Sequence, residues 1–159
     1  MRMKALMVIC LSACTGQASA EGCGQGPDAT RDEGEASSPD ILFCCIATNG
    51  KEIRLSRSGA SIDYVYGRPG VHPEIHVSKP HNEVESVQWD GIGRWMTYSV
   101  TLPVSAATYT LFTQVDRLSQ TQEVEAGVLA IVRGKEVARI LCREPPLSKL
   151  AELSTGAGG

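Results

Sequence analysis

From position 41 to position 142 the chain follows the two-residue period of β-strands. Residues 41–48 form an apolar run that stops at Asn49-Gly50, a dipeptide suited to a two-residue hairpin turn; residues 51–57 return with Ile53 and Leu55 alternating against charged neighbours. Ser58-Gly59 predicts a second turn and Ile62-Asp63-Tyr64-Val65-Tyr66 a third strand. Arg68-Pro69-Gly70 marks a loop. A short strand over 74–78 then carries Ile75 and Val77 on one face. Pro73 and Pro80 bracket it, which suits a sheet edge because proline cannot donate to a ladder. Residues 84–89 give a weaker strand. Over 95–102, Met96, Tyr98, Val100 and Leu102 fall on one face and Thr97, Ser99 and Thr101 on the other. Strands over 109–115 and 124–132 come next, and Arg133-Gly134-Lys135 turns the chain into a last strand over 136–142.

Eight to nine strands in this span leave no room for crossover helices. The expectation is an all-β fold, either an antiparallel β-sandwich or a small closed barrel. Two tryptophans, four tyrosines and two phenylalanines are all the aromatic residues, so the core must be built mainly from Val, Ile, Leu and Ala. A domain of this length buries only about two thirds of its unfolded surface and benefits from covalent staples. Beyond Cys142, Pro145-Pro146 stop the last strand, and the spacing of Leu147, Leu150 and Leu153 predicts a short C-terminal helix.

The N-terminus changes the setting. Arg2 and Lys4 precede an apolar run over 5–11, and small residues continue to Ala20, which is the order of a bacterial secretory signal. The run is too short to span a bilayer, which needs about 20 apolar residues. Ala18-Ser19-Ala20 offers a cleavage site before Glu21. Leu11-Ser12-Ala13-Cys14 offers an alternative, a lipobox that would place diacylglycerol on Cys14; Thr15 after that cysteine then implies the outer membrane. The expected division is a signal over 1–20, an acidic disordered linker over 21–40, the β-domain over 41–142 and a tail over 143–159. The periplasm is the favoured destination, with an outer-membrane lipoprotein as the alternative.

Export gives the cysteines their meaning. Four remain outside the signal: Cys23, Cys44, Cys45 and Cys142. An even number in a small exported chain implies two disulfides, for which three pairings exist. Neighbouring residues on a strand point to opposite faces, and a bridge between Cys44 and Cys45 would be strained. One of the two should therefore face the core and meet Cys142, while the other holds Cys23. A zinc site is a weak rival, since no C-x2-C pair occurs.

Charge is partitioned along the chain. The linker carries Glu21, Asp28, Asp32, Glu33, Glu35 and Asp40 against Arg31 alone, whereas residues 41–142 balance ten acids with ten bases. A neutral domain has no electrostatic footprint for nucleic acid or anionic lipid, so membrane contact would run through Cys14 only.

Catalytic signatures are missing. His72, His76 and His81 lie at no recognised ligand spacing, and His76 is flanked by strand-facing Ile75 and Val77. Ser56 and Ser58 have no G-x-S-x-G elbow around them. The acid pairs Glu83/Glu85 and Glu123/Glu125 fall on exposed strand faces near loops. No catalytic residue, cofactor or metal is assigned. One loop draws the eye: Trp89-Asp90-Gly91-Ile92-Gly93-Arg94-Trp95 holds both tryptophans, two glycines and an Asp/Arg pair. Glycines permit a sharply bent tip, and Trp and Arg are enriched at binding hot spots, so Trp89, Asp90, Arg94 and Trp95 are the candidate partner-binding residues. The structural alternative is that the tryptophans cap the sheet while Asp90 and Arg94 form an ion pair. Arg68-Pro69-Gly70 is a weaker second loop.

Three stretches carry a resemblance. Cys45, Asn49-Gly50-Lys51 and Ile53, then Tyr64, Tyr66-Gly67 and Pro69-Gly70, then Gly134-Lys135 and Leu141-Cys142, resemble small uncharacterised periplasmic β-proteins of Gram-negative bacteria. In its overall form, an exported cysteine-stapled β-domain, the chain is also similar to periplasmic lysozyme inhibitors. These motifs are turns and bridge cysteines, so the resemblance implies a scaffold and transfers no site residue. The expected function is an exported non-enzymatic binding module, such as a protein inhibitor or immunity-type protein, whose partner is an unknown envelope protein. A structural envelope lipoprotein anchored through Cys14 is the alternative, and a hydrolase without a recognisable motif the remote third.

Overall fold

A computed structural model describes Cys23 and residues 39–153. The expected signal, the lipobox Cys14, most of the acidic linker and the last six residues lie outside the described residues. Among the described residues, ten strands form two antiparallel five-stranded sheets. The first sheet contains β1 (Asp40–Ile46), β2 (Glu52–Ser58), β3 (Ser61–Gly67), β4 (Ile75–Pro80) and the two-residue β10 (Leu147–Ser148), in the order β10-β1-β2-β3-β4. The second contains β5 (Glu85–Val87), β6 (Trp95–Val104), β7 (Ala107–Asp116), β8 (Val124–Val132) and β9 (Lys135–Leu141) in sequence order.

The register follows from the alternation of apolar side chains. In the first sheet Cys45 pairs with Ile53 and Ile53 with Tyr66, while Phe43 pairs with Leu55 and Leu55 with Tyr64. In the second sheet Val100, Leu111, Val128 and Ile140 form one continuous row across four strands. These two faces supply one shared core, in which Phe43, Ile53, Leu55, Val100, Leu102 and Leu111 are completely buried. The sheets stack in a sandwich-like arrangement. The tips are glycine-bent as the sequence demands: Gly50 closes the β1–β2 hairpin at φ +81°, and Gly134 the β8–β9 hairpin at φ +76°.

Two expectations are corrected. The closed barrel does not form: among the described residues a single isolated bridge, Ala47 with Cys142, joins the sheets at one seam. At the other seam a 3-10 turn over His81–Glu83 carries the chain from β4 to β5, which are not paired with each other. The short C-terminal helix is also replaced. Leu147 and Ser148 pair with Cys44 and Phe43 of β1, and only Leu150–Glu152 form a 3-10 turn. The three leucines therefore do not share a face: Leu150 and Leu153 are buried, whereas Leu147 is exposed. Pairing with the free edge of β1 satisfies backbone groups that a lone helical turn after Pro145-Pro146 would leave open.

Both disulfides form, and β1 assigns the choice between neighbours. Cys45 faces the core and bridges Cys142, with Cα atoms 5.8 Å apart. Cys44, on the opposite face, bridges Cys23 at a Cα separation of 5.4 Å. Such bridges belong to a non-reducing, exported environment. No helix among the described residues is long and apolar enough to cross a membrane.

Candidate functional site

The loop between β5 and β6 lies beside the loop between β7 and β8, because Trp95 and Asp116 are partners at the end of the β6–β7 ladder. The ladder runs one step further, with the Arg117 amide donating to the Arg94 carbonyl at 3.0 Å. Two arginines then cross the gap in opposite directions. The Arg94 guanidinium grips Asp116 through Nε and Nη2, at 2.9, 3.0 and 2.6 Å. Arg117 reaches back, donating from Nη1 to the Gly93 carbonyl at 3.1 Å and stacking over the Trp89 ring 4.5 Å from its centroid. Fork-shaped, permanently charged guanidinium suits both contacts.

The loop is further shaped from within. The Asp90 carboxylate accepts from the Ile92 amide at 3.0 Å, and the Trp89 indole N–H donates to the Ile92 carbonyl at 2.9 Å. Gly91 and Gly93 flank Ile92 at φ +90° and +93°, a region that side chains disfavour, and so push its side chain outward. Ile92 is 77% exposed and Leu118, on the neighbouring loop, 75%. Trp95 is 49% exposed, with Arg94 over its ring at 5.6 Å. Two aliphatic side chains thus protrude from loops that are tied together.

The electrostatics keep the tie closed near neutrality. Hydrogen bonds from Arg94 hold the Asp116 carboxyl below the usual carboxylate range, assisted by the Leu118 and Ser119 amides, and Asp116 in turn raises Arg94.

The four residues singled out from sequence lie together in this pair of loops, but the pairing expected within the loop is replaced. The Asp90–Arg94 ion pair does not form; Asp116 takes the arginine and Asp90 caps the loop backbone. Trp89 is a platform for Arg117, and Trp95 is the half-open aromatic. Sequence reading did not single out Ile92, Asp116, Arg117 or Leu118. An isolated leucine between Arg117 and Ser119 in a turn was the available signal.

The remaining candidates are scattered. His76 stands on the outer face of β4 with Nε2 3.8 Å from Asp63, and His72 is exposed on the β3–β4 loop. His81 begins the 3-10 turn before β5. Glu83 pairs with Lys79 at 3.6 Å, and Glu125 accepts from Gln114 at 2.9 Å. The 68–70 loop is exposed and is backed by the Lys51–Glu74 ion pair at 2.6 Å.

Neither protein-family models, nor curated proteins, nor solved structures match this chain.

Proposed function

We propose that this chain is an exported binding module without catalytic activity, which captures another protein of the cell envelope through the paired 89–95 and 117–119 loops. The observation that carries this reading is the protrusion of Ile92 and Leu118 from loops joined by the crossed Arg94–Asp116 and Arg117–Trp89 contacts. A stapled apolar tip loses little conformational freedom on docking, and aromatic and arginine side chains beside it match the composition of binding hot spots. Inhibitor or immunity-type capture of a partner's cleft fits such a protruding shape.

The test compares capture by immobilised, disulfide-bonded protein from a periplasmic extract. Wild type retains a defined protein; Ile92→Asp and Trp95→Ala lose it while keeping the wild-type circular dichroism and melting temperature. Undiminished capture by both folded variants contradicts the assignment. We place the protein in the periplasm, released before Glu21. Membrane fractionation that depends on Cys14, with wild type in the membrane and Cys14→Ser soluble, would assign it to the outer membrane instead.

A further inference from the structure

The outer face of the first sheet carries a carboxylate at odds with its surroundings. Glu52, the first residue of β2, is only 8% exposed, and among the described residues its Oε1 accepts no hydrogen bond. Arg54, two positions along the same face, brings Nε to 3.3 Å, which offsets charge without supplying an aligned donor. Lys51, its neighbour in the chain, is engaged by Glu74 at 2.6 Å. A buried ionised carboxylate is stable when it is both paired and hydrogen-bonded, so an oxygen left open points to a further cationic donor.

The covalent framework brings such a donor within range. Cys44 and Arg54 are partners in the β1–β2 ladder, as are Ile46 and Glu52. Cys44 and Glu52 are therefore diagonal neighbours on the same face, a separation of about 7–8 Å. The Cys23–Cys44 bridge sets the Cα atom of Cys23 5.4 Å from that of Cys44. Glu21 stands two positions before Cys23, outside the described residues. Two extended residues span at most about 7 Å, so the Glu21 nitrogen is within reach of the Glu52 carboxylate.

We propose that Glu52 receives the α-ammonium group created when the signal is cut before Glu21. This rests on the release proposed above and is independent of the loop tip. Before the cut, residue 21 offers one uncharged peptide N–H. Hydrolysis of the Ala20–Glu21 bond by water leaves a carboxylate on the signal and an amine on the mature chain. That amine is mostly protonated at neutrality, since its ordinary pKa is about 7.7–8.0. It then presents charge and several donors to the open oxygen, and a charge-assisted bond to a carboxylate favours the protonated form. Disulfide and ammonium together fasten the mature end to the outer face of β1 and β2, so the acidic linker starts from a fixed point. Arg143, whose amide donates to the Ile46 carbonyl at 2.8 Å, is the rival cation at this face.

The test uses the exported chain, purified with both disulfides formed, and begins with mass spectrometry of its N-terminus. A limiting amine-acetylating reagent is then applied at neutral pH and the N-terminal peptide is quantified. A Glu21 start is expected, with its amine acetylated about tenfold more slowly than in Glu52→Gln, the equivalent of one pKa unit. A Gly-Ser pair inserted ahead of Glu21 moves the ammonium away, restores fast labelling and leaves Glu52 in place, so it decides the matter if Glu52→Gln fails to fold. Glu52→Gln should also lower the melting temperature of the Glu21-started chain more than that of the extended one. Equal labelling in wild type and extended chain, or a melting-temperature loss that the extension does not alter, overturns the assignment. So does slow labelling that Arg143→Ala and not Glu52→Gln relieves. A start at position 14 overturns it through its premise, and the first mass spectrum reports that outcome separately.

Discussion

Arg94 and Arg117 sit at the ends of different strands, yet each depends on the other's loop. Arg94 holds Asp116 beside the base of the second loop, and Arg117 holds the first loop through Gly93 and Trp89. Removing Arg117 should therefore free Trp89 without touching the core. In Arg117→Ala, Trp fluorescence becomes more accessible to acrylamide and amide exchange rises over 89–94, while the melting temperature changes little. Unaltered quenching would mean that the stack does not order the loop. The Asp116 carboxyl gives the same contact a pH dependence. Its folded-state pKa lies below the ordinary 3.8, so its contribution is present above about pH 4 and is lost as pH falls through the lowered value. Asp116→Asn should thus differ from wild type in melting temperature at neutral pH and converge with it in strong acid. A difference that persists unchanged to low pH would exclude the ion pair as its source.

Among the elements, the strands were legible because each carries its own alternation and ends in its own turn residues. Ile53 and Leu55, or Tyr98 and Val100, announce a buried face without reference to any partner. Partnership is what the sequence does not spell out. That Trp95 would stand opposite Asp116 depends on the register of a hairpin of two ten-residue strands, and so Arg94 finds its acid 22 residues away and not four. The C-terminal segment fails for a related reason: three-residue leucine spacing fits an amphipathic helix, but the open edge of β1 captured Leu147 and Ser148 first. The turn after β10 contributes to stability in its own right. Leu150 is completely buried and its carbonyl accepts from Gln88, so Leu150→Ala should cost roughly 2–5 kcal/mol in chemical denaturation. A loss well below that range would mean the segment is only loosely docked.

At the scale of the domain, stability leans on covalent staples. Two disulfides hold an aromatic-poor core. In the chain-entropy account the Cys45–Cys142 bridge, spanning 97 positions, contributes about 4–5 kcal/mol, and Cys23–Cys44, spanning 21, about 3 kcal/mol. Cys45→Ala/Cys142→Ala should accordingly unfold at lower denaturant than Cys23→Ala/Cys44→Ala; the reverse order would make the N-terminal bridge the principal staple. Residues 41–142 are charge-neutral, leaving shape and apolar contact to select a partner. The stapled loop tip is where we place that contact, and site-specific photocrosslinking in the living cell interrogates it most directly. A benzophenone amino acid replacing Ile92 or Leu118 should yield a discrete adduct with one envelope protein, while the same probe at exposed Val137 on β9 yields none. Adducts from Val137 alone, or none from either loop position, would contradict the account.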